Sequence, residues 1–221
     1  NVVTPQGMLD QHGADAVRYW AASSKLGVDA SFDPQNPTQI KIGRRLAIKL
    51  LNATKFVLGF ETSTSASVTE PLDQSMLASL ATVVQQATDA FESYDHAKAL
   101  EVTETSFWTF CDDYLELVKG RAHGEVSEAQ ASAVLALRTA ISAYLRLFAP
   151  FLPYATEETW SWFNDGSVHT SAWPAADELT QHAGDATAET LDLVGEVLIG
   201  IRGAKTNAKV SQRTEVTRAE V

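Results

Sequence analysis

Three long stretches in which apolar residues recur every three or four positions, joined by links of only a few residues, restrict this chain more than any other feature. From Leu72 to Ser93 the repeating positions are Leu77, Leu80, Val84, Ala87 and Phe91. From Asp95 to Ala122 they are Leu100, Phe107, Cys111, Tyr114, Leu115 and Val118, and from Ser127 to Ala149 they are Val134, Leu137, Ile141, Tyr144, Leu145 and Phe148. That spacing is the period of an amphipathic helix. Links this short make consecutive helices antiparallel neighbours, so the expected fold is mainly α, an antiparallel helix bundle. A fourth long helix is expected over Thr38 to Phe60, with Asn36-Pro37 as its start signal.

The flanks are shorter and more broken. Thr4-Pro5 reads as an N-cap followed by proline at the first helical position. Ala14 to Ser24 has a helical pattern, and Gly27 to Pro37 is a connector rich in turn residues. Ser63 to Pro71 reads as a small polar loop. Pro150 and Pro153 end the last bundle helix and start a short aromatic one, Tyr154 to Phe163. Asn164 to Pro174 is expected to be irregular with a short strand at Val168 to Ser171, followed by a helix over Thr187 to Lys205. The β-branched tail from Val210 to Val221 is expected to be extended. The chain thus divides into a short N-terminal connector subdomain (1–36), the bundle (37–163) and a small mixed C-terminal segment (164–221).

Hydrophobic residues make up 45% of the chain and charged residues 20%, ordinary values for a globular protein. No apolar run approaches the roughly 20 residues that span a bilayer, so no membrane partner is expected. A lone cysteine, Cys111, excludes an internal disulfide and fits a reducing cytoplasm. His12, His96, His123, His169 and His182 lack ligand spacing, so no metal site is expected. Asn1-Val2-Val3-Thr4-Pro5 has neither the basic start nor the apolar stretch of a signal peptide, and the N-terminus reads as cut.

A net charge of −11 argues against a polyanionic partner only if charge is averaged over the chain. From Pro34 to Phe60 there is no Asp or Glu, while Lys41, Arg44, Arg45, Lys49 and Lys55 all fall there. On a helix, Lys41, Arg44, Arg45, Asn52 and Lys55 occupy an arc of roughly 100°, with Lys49 just beyond its edge. Ile40, Ala47, Leu50, Leu51, Thr54, Val57 and Leu58 lie opposite and should face the core. A solvated charged face is the ordinary fate of such residues, but solvated faces mix signs and this one does not. Cations with an amide suit RNA phosphates and a base edge. Arg202, Lys205, Lys209, Arg213 and Arg218 form a second cluster, and the two together hold ten of the seventeen basic residues.

Little else suggests chemistry. Asp112, Asp113 and Glu116 sit together with Lys119 and Arg121 nearby, and Glu157-Glu158 are adjacent; surface or capping roles fit both groups better than acid–base catalysis. Phe107 and Phe110 read as core, Trp108 could stack on a base, and Cys111 reads as a buried small hydrophobe. Gly200-Ile201-Arg202-Gly203 lacks the surroundings of a phosphate loop. No complete catalytic site is expected in the chain.

Several segments together resemble the class I aminoacyl-tRNA synthetases of the valine, isoleucine and leucine group. They are His12-Gly13-Ala14-Asp15-Ala16-Val17-Arg18-Tyr19-Trp20, Phe107-Trp108-Thr109-Phe110-Cys111-Asp112-Asp113-Tyr114, Ala149-Pro150-Phe151-Leu152-Pro153-Tyr154-Ala155-Thr156-Glu157-Glu158-Thr159-Trp160, and Val168-His169-Thr170-Ser171-Ala172-Trp173-Pro174. Asp29-Ala30-Ser31-Phe32-Asp33 and Arg44 to Leu58 look most like the valine branch, with the isoleucine branch or a helical protein-interaction bundle as alternatives. The resemblance implies a stem-contact segment followed by the anticodon-binding bundle. It implies a valine–tRNA ligase parent, monomeric and cytoplasmic, using ATP and magnesium. The catalytic signatures and editing domain would precede Asn1, a coiled-coil arm would follow Val221, and no cofactor would bind within these residues. The implied partner is valine tRNA, met at its anticodon arm by Arg45, Lys49, Asn52 and Lys55, with Lys41 and Arg44 on phosphates.

Overall fold

The computed structural model describes residues 5–30, 33, 35–61 and 67–220. Two short helices come first, α1 (Gln6–His12) and α2 (Ala14–Ala22), followed by the long α3 (Thr38–Leu58). The bundle continues with α4 (Pro71–Glu92), α5 (His96–Thr109), a π-helical turn over Phe110–Tyr114, α6 (Leu115–Ala122) and α7 (Glu128–Phe148). After these come α8 (Pro153–Trp160), a 3₁₀ turn at Val168–Thr170, α9 (Asp177–Ala183) and α10 (Glu189–Asn207).

Local chemistry sets most boundaries. Pro71 and Pro153 occupy first-turn positions of α4 and α8, where a missing N–H costs nothing. The side chains of Asp95 and Ser127 accept from the N–H groups of Lys98 (3.0 Å) and Gln130 (3.1 Å), capping α5 and α7. At the end of α4 the chain reverses through Tyr94, whose φ of 58° is left-handed, and the Asp95 N–H closes back on the Ala90 carbonyl at 2.8 Å. The proposed Thr4 cap, Asn1-Val2-Val3, Ser31-Phe32 and residues 63–66 of the 63–71 loop lie outside the described residues.

α7 is the central helix. Ala133, Ala136, Ala140 and Ala143 let neighbours approach closely, while Leu137, Ile141, Leu145, Leu147 and Phe148 are wholly buried. By length and composition α7 could cross a bilayer, more than the sequence reading allowed, but it forms the bundle core. Phe107 packs edge-on against Tyr144 and Phe148, with ring centres 5.2 and 5.4 Å apart, and such aromatic pairs add about 0.5–1.5 kcal/mol each beyond area burial. Phe107, Phe110 and Cys111 are buried as expected.

The segments that carried the family resemblance bind one another. The Asp15 carboxylate on α2 accepts from the backbone N–H groups of Tyr154 (3.1 Å) and Ala155 (2.7 Å) at the start of α8. Burial raises this carboxyl above its ordinary range, and the two N–H bonds partly offset the rise. Arg18 donates to the Pro150 carbonyl at 2.9 Å, and Tyr19 donates to Glu104 of α5 at 2.6 Å. Gly43 of α3 lies directly beneath Tyr19, where a Cβ would come within 2.5 Å of the tyrosine Cβ.

Three expectations need correction. Where a strand is expected over Val168 to Ser171, Val168–Thr170 form a 3₁₀ turn and Ser171 a bend after it. The Glu157 carboxylate accepts from the Ser167 hydroxyl (2.8 Å) and the Val168 N–H (3.0 Å), and the Ser167 hydroxyl accepts from the His169 N–H, so side chains satisfy donors a strand would have paired. The tail from Val210 is irregular, and the C-terminal segment has no strand among the described residues. Here β-branched composition meets no neighbouring strand. On α3 the buried stripe is Ile40, Gly43, Leu46, Leu50, Ala53, Thr54 and Val57, while Ala47, Leu51 and Leu58 are only half-buried. The helix is rotated because glycine at 43 lets α2 settle onto that side.

Candidate nucleic-acid interface

Rotating the buried stripe toward Gly43 and Leu46 turns the basic arc of α3 outward. Lys41, Arg44, Arg45, Asn52 and Lys55 are all exposed, and Lys49 is half-buried at the edge of the arc. At 1.5 Å per residue, Lys41 and Lys55 stand about 21 Å apart along the axis.

Each cation has a definite setting. Lys41 Nζ donates to Asn36 Oδ1 at 3.3 Å, and Arg44 donates one N–H to the His12 carbonyl at 3.0 Å. The Arg45 guanidinium lies over the Trp108 ring, 5.4 Å from its centre, and Lys49 Nζ lies 5.6 Å from the same ring. Asn52 and Lys55 reach solvent without a partner among the described residues. Trp108 donates from Nε1 to Glu104 Oε1 at 3.2 Å, and its face is a platform for cations.

Lys49 differs from the others. Its ammonium donates to Asp112 Oδ1 at 2.9 Å, so the stripe has an acidic partner after all, supplied by another helix. Asp112 and Asp113 sit in the π-helical turn, where the shifted hydrogen-bond ladder frees backbone groups. Arg202 of α10 uses this opening, donating to Asp113 Oδ1 at 2.5 Å and to the Asp112 carbonyl at 2.6 Å. One acidic pair thereby braces one member of each basic cluster. Nothing local in the sequence signals these pairings; of the neighbours expected for the acidic group, Lys119 pairs with its third member, Glu116, while Arg121 turns instead to Asp73. In the second cluster Lys205 donates to the Gln212 carbonyl at 2.9 Å, Arg218 pairs with Glu220, and Lys209 and Arg213 are exposed.

Among the described residues the acidic pairs singled out from sequence do not converge on one another. The carboxylates of Glu157 and Glu158 diverge, the first toward residues 167–168 and the second accepting from Trp162 Nε1 at 3.1 Å. Burial pushes the Cys111 thiol up to about 12, so it stays protonated at neutral pH. Among the described residues no group of three His, Cys, Asp or Glu side chains is placed to hold a metal.

A family model described as the anticodon-binding domain of tRNA ligase matches residues 73–221. The chain is 66% identical over 224 residues to a valine–tRNA ligase of Leifsonia xyli subsp. xyli, an alignment covering 100% of this chain and 26% of the relative. It is 56% identical over 225 residues to that of Thermobifida fusca, covering 100% and 25%, and 46% identical over 232 residues to that of Tropheryma whipplei, covering 98% and 26%. The chain thus spans about a quarter of the length of these relatives. α3 precedes the region matched by the family model but falls within these alignments. Among solved structures, a ternary complex of Agrobacterium radiobacter K84 agnB2 LeuRS with tRNA and LeuAMS superposes with a TM-score of 0.63 at 18% identity, covering 84% of this chain and 22% of that one. At that identity the likeness speaks for the fold.

Proposed function

The chain belongs to the anticodon-binding domain family of tRNA ligases, and from that premise we propose that it is the part of a valine–tRNA ligase that holds the anticodon arm of valine tRNA against α3. The whole ligase activates valine with ATP and magnesium and transfers it to the tRNA, in the cytoplasm and as a monomer. These residues contribute recognition and leave the chemistry to the rest of the protein. Residues 37–163 form the RNA-facing bundle, with 1–36 as stem contact and 164–221 as the lead to a further arm.

The observation that carries this reading is the exposed run Lys41, Arg44, Arg45, Asn52 and Lys55 on one face of α3 in a chain of net charge −11. Phosphates gain from cations they meet in an otherwise negative field, and each phosphate neutralised releases condensed counterions. Lys41 and Arg44 contact phosphates. Arg45, Asn52 and Lys55 flank the loop nucleotides, with Arg45 held flat by Trp108. Lys49 contributes less to the free energy of binding, because it exchanges Asp112 for the RNA. The relatives' shared description as valine–tRNA ligases supports valine over isoleucine.

The test is binding of a tRNA bearing a valine anticodon across a salt series. Arg44→Glu and Lys55→Glu should each weaken binding and reduce the slope of log affinity against log salt by about 1, and Lys49→Gln should do less. Equal affinity for all variants, or no binding at low salt, would refute the reading.

A further inference from the structure

Ile48 stands at the middle of the basic arc, yet its side chain is apolar and 45% exposed. Lys41, Arg44, Arg45, Asn52 and Lys55 surround it at helical spacings of three, four and seven residues. Ile48 and the half-buried Leu51 form one wall of a groove of 490 Å³, within the ~300–1,000 Å³ range of small-ligand sites. Arg44 and His12 lie at one side of this groove, and Tyr154 and Glu158 of α8 form the other wall. Tyr154 is 67% exposed, an aromatic ring that its own fold leaves uncovered.

We propose that this groove takes one unstacked nucleotide of the bound RNA, its base between Tyr154 and Ile48 and its phosphate on Arg44. The inference rests on the RNA-binding reading and adds to it a specific seat away from Trp108. An apolar slot with an aromatic wall suits the flat face of a base, which stacks on such rings without needing a particular sequence. Arg44 spends one N–H on the His12 carbonyl and keeps the rest of its donors for an oxyanion. Glu158 gives the groove a direction: a carboxylate at the α8 rim repels phosphate and accepts from base N–H groups, so the backbone runs along α3 and the base points to α8. The groove is continuous with the basic stripe through Arg44 and Ile48, and that continuity favours a nucleotide over an apolar peptide.

The experiment measures binding of the full chain to a tRNA bearing a valine anticodon, with Tyr154→Ala, Tyr154→Phe and Arg44→Gln. Tyr154 is exposed, so all variants should fold, as circular dichroism would verify. Tyr154→Ala should bind about 5- to 150-fold more weakly, the loss of one base–aromatic stack, with its salt slope unchanged. Tyr154→Phe should stay within about twofold of the parent, and Arg44→Gln should lose affinity together with about one unit of salt slope. Tight binding by the unsubstituted chain with an unchanged Tyr154→Ala would overturn the groove alone and leave it to a protein partner. Failure of the unsubstituted chain to bind would overturn the RNA reading itself.

Discussion

Replacing Asp73 with alanine should be among the most damaging single changes in the molecule. Its carboxylate is fully buried and accepts four hydrogen bonds: from Tyr114 Oη (2.8 Å), from Arg121 Nη1 and Nη2 (2.7 Å each), and from Ser132 Oγ (2.7 Å). Ser132 Oγ in turn accepts from the Thr69 and Glu70 N–H groups, each at 3.1 Å, where the chain enters α4. Breaking a buried ion pair from one side costs about 3–5 kcal/mol, and each buried hydroxyl left without an acceptor about 1–3 kcal/mol. These losses do not add, because the same vacated space can admit water. The Arg121 side chain is 24% exposed and recovers some hydration, so a total of about 4 kcal/mol is expected. With a urea m-value of about 2 kcal/mol/M, the unfolding midpoint should fall by about 2 M. Asp73→Leu combined with Arg121→Met should regain only the part of the loss that comes from the unpaired guanidinium, because the Tyr114 and Ser132 hydroxyls still lack their acceptor. A loss below about 1 kcal/mol for Asp73→Ala at unchanged m-value would refute the reasoning. Tyr114 closes the π-helical turn, so the same variant should loosen the Asp112 and Asp113 brace and weaken RNA binding beyond its effect on stability.

Gly43→Ala, which on an open helix face would stabilise by about 0.5–1 kcal/mol, should instead cost about 1–2 kcal/mol in urea unfolding, because the new methyl meets the Tyr19 Cβ at 2.5 Å. Gly120→Ala on α6, with nothing within 4 Å, is the control and should stabilise. Glu178 is held below its ordinary carboxyl range chiefly by hydrogen bonds from Arg146, at 3.0 and 2.6 Å. A lowered folded-state value means that the pair's contribution is complete above the unfolded value, near pH 4.3, and is lost as pH falls through the folded one. Glu178→Gln should therefore flatten the acid limb of a stability–pH curve, and an unchanged limb would remove the pair from the account.

Most of the candidate interface was legible because its signal is local. Lys41, Arg44, Arg45, Asn52 and Lys55 share a face for the reason that any helix places residues three, four and seven apart together, and no tertiary contact is needed to predict it. Lys49 was legible as basic but not as paired, since Asp112 lies 63 positions away. The groove beside Ile48 was not legible at all, because Tyr154 reaches it only through the docking of α8 against α2 by Asp15.

The fold divides along the same line. Apolar period, proline positions and the Asp95 and Ser127 caps set the helices and their order from sequence alone, because those forces act within a turn or two of chain. The structure decided which side of α3 faces inward, where a missing Cβ at Gly43 admits Tyr19. It decided that residues 168–171 coil onto Glu157 rather than extend, and that the seven-residue α9, too short to show a period, forms beside α4. It also decided which charges are spent inside the protein, Asp73 with Arg121 and Arg202 with Asp113, and so which are left to meet an RNA. Burial and ion pairing join residues dozens of positions apart, and they acquire a sign only once packing has brought those residues together.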